Sequence, residues 1–97
     1  MTYYVAGLLR IRETGWQAEY QQRLPAVLKR HGGEVLAAGV PDPLEGTANP
    51  PDRLIVMRFP SQEAALAWYA DADHSPLIEL RKTGADLDLL GTAAAKN

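Results

Sequence analysis

Two hydrophobic rhythms alternate along this chain. From Tyr3 to Ile11 almost every position is apolar, and the run is short, rich in aromatic and aliphatic side chains and closed by Arg12 and Glu13, which predicts a first strand. Successive strand side chains point to opposite faces, so Tyr3, Val5, Gly7, Leu9 and Ile11 line one side and Tyr4, Ala6 and Leu8 the other. Both sides are largely apolar. Beyond Thr14 the period changes: Trp16, Tyr20, Leu24, Val27 and Leu28 recur at helical spacing, while Gln21, Gln22, Lys29 and Arg30 take the wet side. Thr14 to Gln17 reads as a capping box that starts this helix, and Pro25 is a candidate kink. His31-Gly32-Gly33 ends it, because glycine accepts the left-handed backbone that closes a C-terminus.

Glu34 to Val40 predicts a second strand and Arg53 to Phe59 a third. The segment between them, 41–52, holds four prolines and a glycine, which excludes regular structure and predicts a long, stiff hairpin connection. Loops of that length in small domains are often functional. Ser61 is placed to cap a second helix with Glu63 in its first turn, and Ala64, Ala65 and Trp68 form an apolar face able to approach a sheet closely. Asp71-Ala72-Asp73 interrupts it, and Ser75-Pro76 restarts a helix through Leu77, Ile78, Leu80 and Arg81 toward Gly84. Asp86 to Leu90 predicts a fourth strand, with the residues from Thr92 onward reading as a tail. The expected organisation is one domain over residues 1–92 and a C-terminal tail over 93–97.

This order is that of the split βαβ, ferredoxin-like βαββαβ arrangement, an α+β fold with a four-stranded antiparallel sheet and its helices on one face. A sheet with one solvated face normally alternates cleanly. Here Ile55, Met57 and Phe59 on one side and Leu54 and Val56 on the other are all apolar, so a second sheet is expected to cover the free face, and a twin subunit is its obvious source. Ninety-seven residues make one domain for which such added burial is useful.

Composition narrows the chemistry. A net charge of -2, with ten Lys and Arg scattered and not clustered, makes nucleic acid a poor partner. Cysteine is absent, which removes disulfides, thiol catalysis and Cys-based metal sites. The N-terminal stretch lacks both a basic leader and an apolar run long enough for a signal peptide or membrane span, so a soluble cytoplasmic protein is expected. The two histidines lie far apart without a spaced carboxylate set, and no metal site or cofactor fingerprint is expected.

The sequence resembles the bacterial domain-of-unknown-function family 1330 (DUF1330), of the dimeric α+β barrel group. The resemblance rests on Glu19-Tyr20, His31-Gly32-Gly33, Glu45-Gly46, Phe59-Pro60-Ser61, Ala65 with Trp68-Tyr69, and Arg81, in that order. It implies a ferredoxin-like protomer whose sheet packs on its twin's, with a pocket between sheet and helices, and it implies no established activity. The chain departs from the family where an acidic residue is replaced by Arg58, a tyrosine by His74, and an aromatic after Glu45-Gly46 by Thr47-Ala48-Asn49.

Six residues are candidates for a site. Trp68 and Tyr69 offer large aromatic walls, Tyr69 with a polar tip, although the plainer reading of Trp68 is core. His74 stands beside Asp73, and a neighbouring carboxylate would hold an imidazole for acid–base work; the plainer reading is a surface histidine in a turn. Arg58, which shares strand parity with Arg10, and Arg81 are candidate anion anchors. Against that, Arg10 and Arg58 have ion-pair partners available in Glu13, Asp86 and Asp88, and Arg81 in Asp71 or Asp73. Glu45, with Arg53, brackets the proline-rich loop and either orients a ligand or pins the loop. His31 is explained by its place at a helix C-terminus. Two functions stay open: binding or conversion of a small organic molecule, an anion where an arginine anchors it, with His74 or Tyr69 moving protons, and a non-catalytic dimeric protein-interaction module. A closed space between sheet and helices favours the second, an open apolar cavity with a few polar groups the first.

Overall fold

The computed structural model describes residues 1–46 and 49–95. The chain runs β1 (Tyr3–Ile11), α1 (Gln17–Arg30), β2 (Glu34–Gly39), β3 (Arg53–Phe59), α2 (Gln62–Tyr69), α3 (Ser75–Lys82) and β4 (Ala85–Ala93). The four strands pair antiparallel in the order β2-β3-β1-β4, the ferredoxin-like arrangement, with its second helical segment broken into α2 and α3.

Register sets the layers. Val5 pairs with Met57 on one side and Gly91 on the other, and Leu9 with Arg53 and Leu87. This turns the odd-numbered residues of β1 and β3 toward the helices, where Val5, Leu9, Met57 and Phe59 are buried. Val27 and Leu28 of α1, Ala65 and Trp68 of α2 and Leu77 of α3 complete the main core, and Trp16, Leu9 and Ala85 form a second cluster beside it. The opposite face carries Tyr4, Ala6 and Leu8, flanked in register by Leu54, Val56 and Leu90. It lies outside the helical layer, and Leu90 is 63% exposed.

Local structure departs from the sequence pattern at identifiable places. The capping box does not form: Trp16 occupies the N-cap of α1 without a side-chain cap bond, and the Gln17 amide donates to the Thr14 carbonyl instead, at 3.0 Å. Trp16 is 4% exposed, and its indole N–H donates to the Glu13 carbonyl at 2.7 Å. Burying an aromatic of this size is worth about 2–3 kcal/mol, against about 1 kcal/mol for a hydroxyl cap, so the indole decides the geometry. The α1 stripe otherwise falls as expected, and the helix continues through Pro25. It ends at Gly32, whose φ is 72°. Ser61 caps α2, accepting from the Ala64 amide at 3.0 Å.

The strand β4 is longer than expected, reaching Ala93, so Thr92 and Ala93 belong to the sheet and not to a tail. The cause is its partner: Tyr4 pairs with Thr92 and Tyr3 with Ala93, and the Ala94 amide donates to the Thr2 carbonyl at 3.0 Å. Strand β2 stops at Gly39 and has a bulge between Val35 and Ala37. The described part of the 41–52 connection has no helix or strand. Its return is held to β1 by Asp52, whose amide donates to the Leu9 carbonyl at 2.8 Å and whose carboxylate accepts from the Ile11 amide at 2.7 Å.

At Gly33 an added Cβ would lie 2.6 Å from both Leu28 Cδ1 and Phe59 Cε1, where α1 hands over to β2. Gly33→Ala is therefore expected to lower stability by about 1–3 kcal/mol through overpacking, measured by urea denaturation. An unchanged midpoint would mean that Leu28 and Phe59 yield at no cost.

Candidate functional site

A cavity of about 310 Å³ lies over the helix-facing side of β1 and β4, bordered by α2 and α3. Tyr3 and Val5 come from β1, Leu89 from β4, Trp68 and Tyr69 from α2 and Arg81 from α3. Gly91 shapes its floor. A Cβ there would fall 2.5 Å from the Tyr3 Oη and 2.6 Å from Cε2, so only glycine lets the Tyr3 ring lie across β4.

Arg81 is the charged member, and it is 4% exposed. Its Nη1 donates to the Tyr20 hydroxyl at 3.4 Å and its guanidinium carbon lies 6.0 Å from the Tyr20 ring centroid, a weak bond supplemented by a cation–π contact. Its Nε has no partner. The carboxylates proposed for it lie elsewhere: Asp71 accepts from Arg30 at 2.9 Å and His31 Nε2 at 2.6 Å, and Asp73 pairs with Arg30 at 3.0 Å. These contacts tie the end of α1 to the α2–α3 break. The Asp71 carboxyl is lowered from 3.8 to about 2, first by the His31 hydrogen bond, then by the Asp73 amide, with Arg30 adding to both. His31 thus stands at the C-cap of α1, as its helix-end reading has it, and gains Asp71 as a partner.

Trp68 is both core and wall. It is 3% exposed, packs on Phe59 with centroids 5.2 Å apart, and lines the cavity with its indole nitrogen unpartnered. Tyr69, one position on, is turned about 100° around the helix and is 46% exposed, with its ring edge-on to Trp68.

His74 is not a surface turn residue. It is fully buried, its imidazole 4.4 Å from the Trp68 ring and edge-on to Tyr69 at 5.7 Å. Nδ1 lies 3.0 Å from the Trp68 carbonyl oxygen. A carbonyl only accepts, so Nδ1 carries the proton and Nε2 the lone pair, and Nε2 is buried without a partner. Burial holds the imidazole pKa below its usual 6.5. The Trp68 carbonyl opposes this and the Arg81 charge adds to it. Asp73 is no partner to His74, since its amide and carboxylate are engaged by Asp71 and Arg30.

Arg58 and Glu45 do not line the cavity. Arg58 lies opposite Glu34 in the β2–β3 register and is ion-paired with it, on the sheet face away from the helices. Glu45 is exposed in the loop. Arg10 bonds the Pro50 and Asn49 carbonyls, Arg53 the Asp52 carbonyl, and Asp86 takes Arg12. Thr47 and Ala48, where the family's aromatic is replaced, lie outside the described residues. The structure thus gathers Trp68, Tyr69 and Arg81, backs them with His74, and adds Tyr3, Leu89 and Gly91. Strand parity held the signal for these: Tyr3 shares a face with Val5, and Gly91 with Leu87 and Leu89. Among the described residues, no group of three or more His, Asp or Glu is placed to hold a metal ion, and no helix is long and apolar enough to cross a membrane.

Sheet order, helical layer and cavity together define a ferredoxin-like α+β protein. The chain belongs to the family described as domain of unknown function (DUF1330), whose pattern matches residues 1–93. No curated protein matches it. Among solved structures it is similar to a protein of unknown function from Rhodopseudomonas palustris, with a TM-score of 0.82 and 20% identity over 99% of this chain and 84% of that one. It is also similar to SnoaB, a cofactor-independent oxygenase from Streptomyces nogalater, with a TM-score of 0.70 and 9% identity over 99% and 95% of the two chains. A dimeric ferredoxin-like protein of unknown function from Thermobifida fusca gives 0.57 and 16%, over 97% and 92%. At these identities the likeness is one of fold.

The neutral burial of His74 gives a pH prediction with a definite sign. Its folded pKa lies below the unfolded value of 6.5, so the unfolded chain binds the proton first. Its contribution is then fully present above about pH 6.5 and is lost as pH falls below that value. Asp71, at about 2, adds nothing in this window, because its contribution is lost only as pH falls below about 3.8. In melting curves from pH 7.5 to 5, wild type is expected to lose stability relative to His74→Phe, which keeps the ring stack but cannot titrate. Parallel curves for the two proteins would refute this.

Proposed function

We propose that the protein is a homodimer that binds a small organic anion in the cavity between sheet and helices. The observation that carries this reading is Arg81: a buried guanidinium with an unpartnered Nε, set among aromatic and aliphatic walls. Pockets of this kind, mostly apolar with a few convergent polar groups, are what small-molecule sites look like. In this reading Arg81 anchors the anion, Trp68 is the wall, and Tyr69 brings a hydroxyl to the mouth. His74, neutral and with a free lone pair on Nε2, is the proton acceptor held behind them. The description of SnoaB as a cofactor-independent oxygenase supports extending binding to conversion by protein groups alone. A closed, fully packed space would have favoured a protein-interaction module, and the open cavity speaks against it.

The dimer is supported by the uncovered apolar face, Tyr4, Ala6 and Leu8 with Leu54, Val56 and Leu90, and by the dimeric state given for the Thermobifida fusca relative. Arg58 and Glu34 sit on or beside that face, so this reading assigns them to subunit pairing and not to the ligand.

Two measurements test the two parts. Sedimentation equilibrium at micromolar concentration should return a dimer for wild type and a folded monomer for Val56→Arg, which places a charge in the middle of the face; a monomeric wild type would sink the dimer. In a thermal-shift panel, small organic carboxylates at millimolar concentration should raise Tm by mass action while neutral analogues do so less. A panel in which no organic molecule of either charge moves Tm would count against the cavity as a binding site.

A further inference from the structure

The chemistry of the cavity narrows what it takes, an inference that rests on reading it as the ligand site. The charge comes first. Among the described residues no carboxylate pairs with Arg81, because Asp71 and Asp73 are held by Arg30 and Asp86 by Arg12. An uncompensated buried cation is costly. A carboxylate is the group whose two oxygens meet the flat guanidinium fork with parallel hydrogen bonds.

The walls and the volume constrain the rest of the ligand. Tyr3, Trp68 and Tyr69 present aromatic surface, and Val5 and Leu89 close the space with aliphatic groups. Aromatic side chains pack offset or edge-to-face against a further ring with a gain beyond simple burial. A volume of about 310 Å³ would hold about ten waters at roughly 30 Å³ each, which is the scale of one benzene ring with a single carboxylate.

The two ends of the cavity are chemically distinct. Arg81 stands beside Tyr20, which packs against the Leu9 and Trp16 cluster, and Leu9 pairs with Leu87. Tyr3 lies across Gly91, further along the same strand. The cation therefore stands toward the Leu87 side of the cavity and the Tyr3 ring toward Gly91, and Tyr3 keeps that position only because Gly91 has no side chain.

We propose that the cavity takes a single-ring aromatic carboxylate, its carboxylate on Arg81 and its ring against Trp68 and Tyr69, with Tyr3 limiting the length of ligand admitted. Isothermal titration calorimetry on the purified protein with benzoate, benzamide, cyclohexanecarboxylate and 2-naphthoate separates these elements without altering Arg81, whose removal risks unfolding. Benzoate is expected to bind at least tenfold more tightly than benzamide and more tightly than cyclohexanecarboxylate. 2-Naphthoate is expected to bind poorly to wild type and to gain at least tenfold in Tyr3→Ala. Benzamide equal to benzoate would overturn the anion, and cyclohexanecarboxylate equal to benzoate would overturn the aromatic class, while either result leaves the cavity a binding site. Naphthoate binding that ignores Tyr3→Ala would overturn the length limit. If none of the four compounds binds or shifts the Trp68 indole resonance in NMR spectra, the proposal fails together with the ligand-site reading beneath it.

Discussion

The central position of β1 governs the molecule. It pairs along nearly its whole length with β3 on one side and β4 on the other, so its two-residue alternation is imposed on both neighbours at once. Val5 and Leu9 go to the core and Tyr3 to the cavity wall, while Tyr4, Ala6 and Leu8 go to the opposite face. A slip of one residue in either pairing would exchange these sets, moving core side chains outward and Tyr3 away from Gly91. Because the apolar groups of β3 alternate in the same phase, with Met57 and Phe59 buried, burial on the helix face selects a single register. Site geometry and fold stability thus rest on the same pairing.

The interruption of the second helical segment sets how α2 and α3 lie beside the cavity, the first giving it Trp68 and Tyr69 and the second Arg81. A continuous helix from Gln62 to Lys82 would pack along the sheet as a rod. The Asp71 turn instead redirects the chain, with the His74 and Ser75 amides donating to the Asp71 carbonyl at 2.9 and 3.2 Å, and folds His74 back under Trp68. The Asp71 carboxylate, gripped by His31 and Arg30, fixes this turn to the end of α1. One aspartate therefore joins three helices at a point where backbone groups would otherwise be left to solvent. Among the described residues the buried nitrogens without a partner are on Trp68 and Arg81, which line the cavity, and on His74, which stacks on Trp68. In a fold whose polar interior groups are normally paired, they concentrate at one place.

Much of this was legible in the sequence because periodicity is a strong signal. The element order, the Gly32 stop, the Ser61 cap and the aspartate-rich break follow from patterns confined to a few neighbouring residues. Trp68, Tyr69 and Arg81 stood out as aromatic walls and anion anchor, and they do meet. His74 was misread because its neighbours Ala72, Asp73 and Ser75 look wet, whereas its burial is decided by where the turn places it against Trp68 and Tyr69. Ion pairing of Arg58 is the right alternative to a ligand role, but not with Glu13, Asp86 or Asp88. Its partner, Glu34, becomes visible only once β2 and β3 are in register. The Thr14 cap lost to Trp16 for a related reason, since the burial that outweighs it comes from Leu9 and Ala85, distant in the chain.

The bulge between Val35 and Ala37 has a bearing on how copies of this chain can meet. It falls in the six-residue edge strand β2, where it interrupts the row of backbone donors and acceptors that another strand would need to dock on. The other edge, β4, carries Asp86 and Asp88, charges that discourage the same event. Both rims of the sheet are thereby made poor templates for strand addition. Head-to-tail strand addition would be open-ended, whereas stacking of two apolar faces about a two-fold axis would use up both surfaces at once. The irregular rim thus weighs against edge-to-edge pairing between copies of this chain.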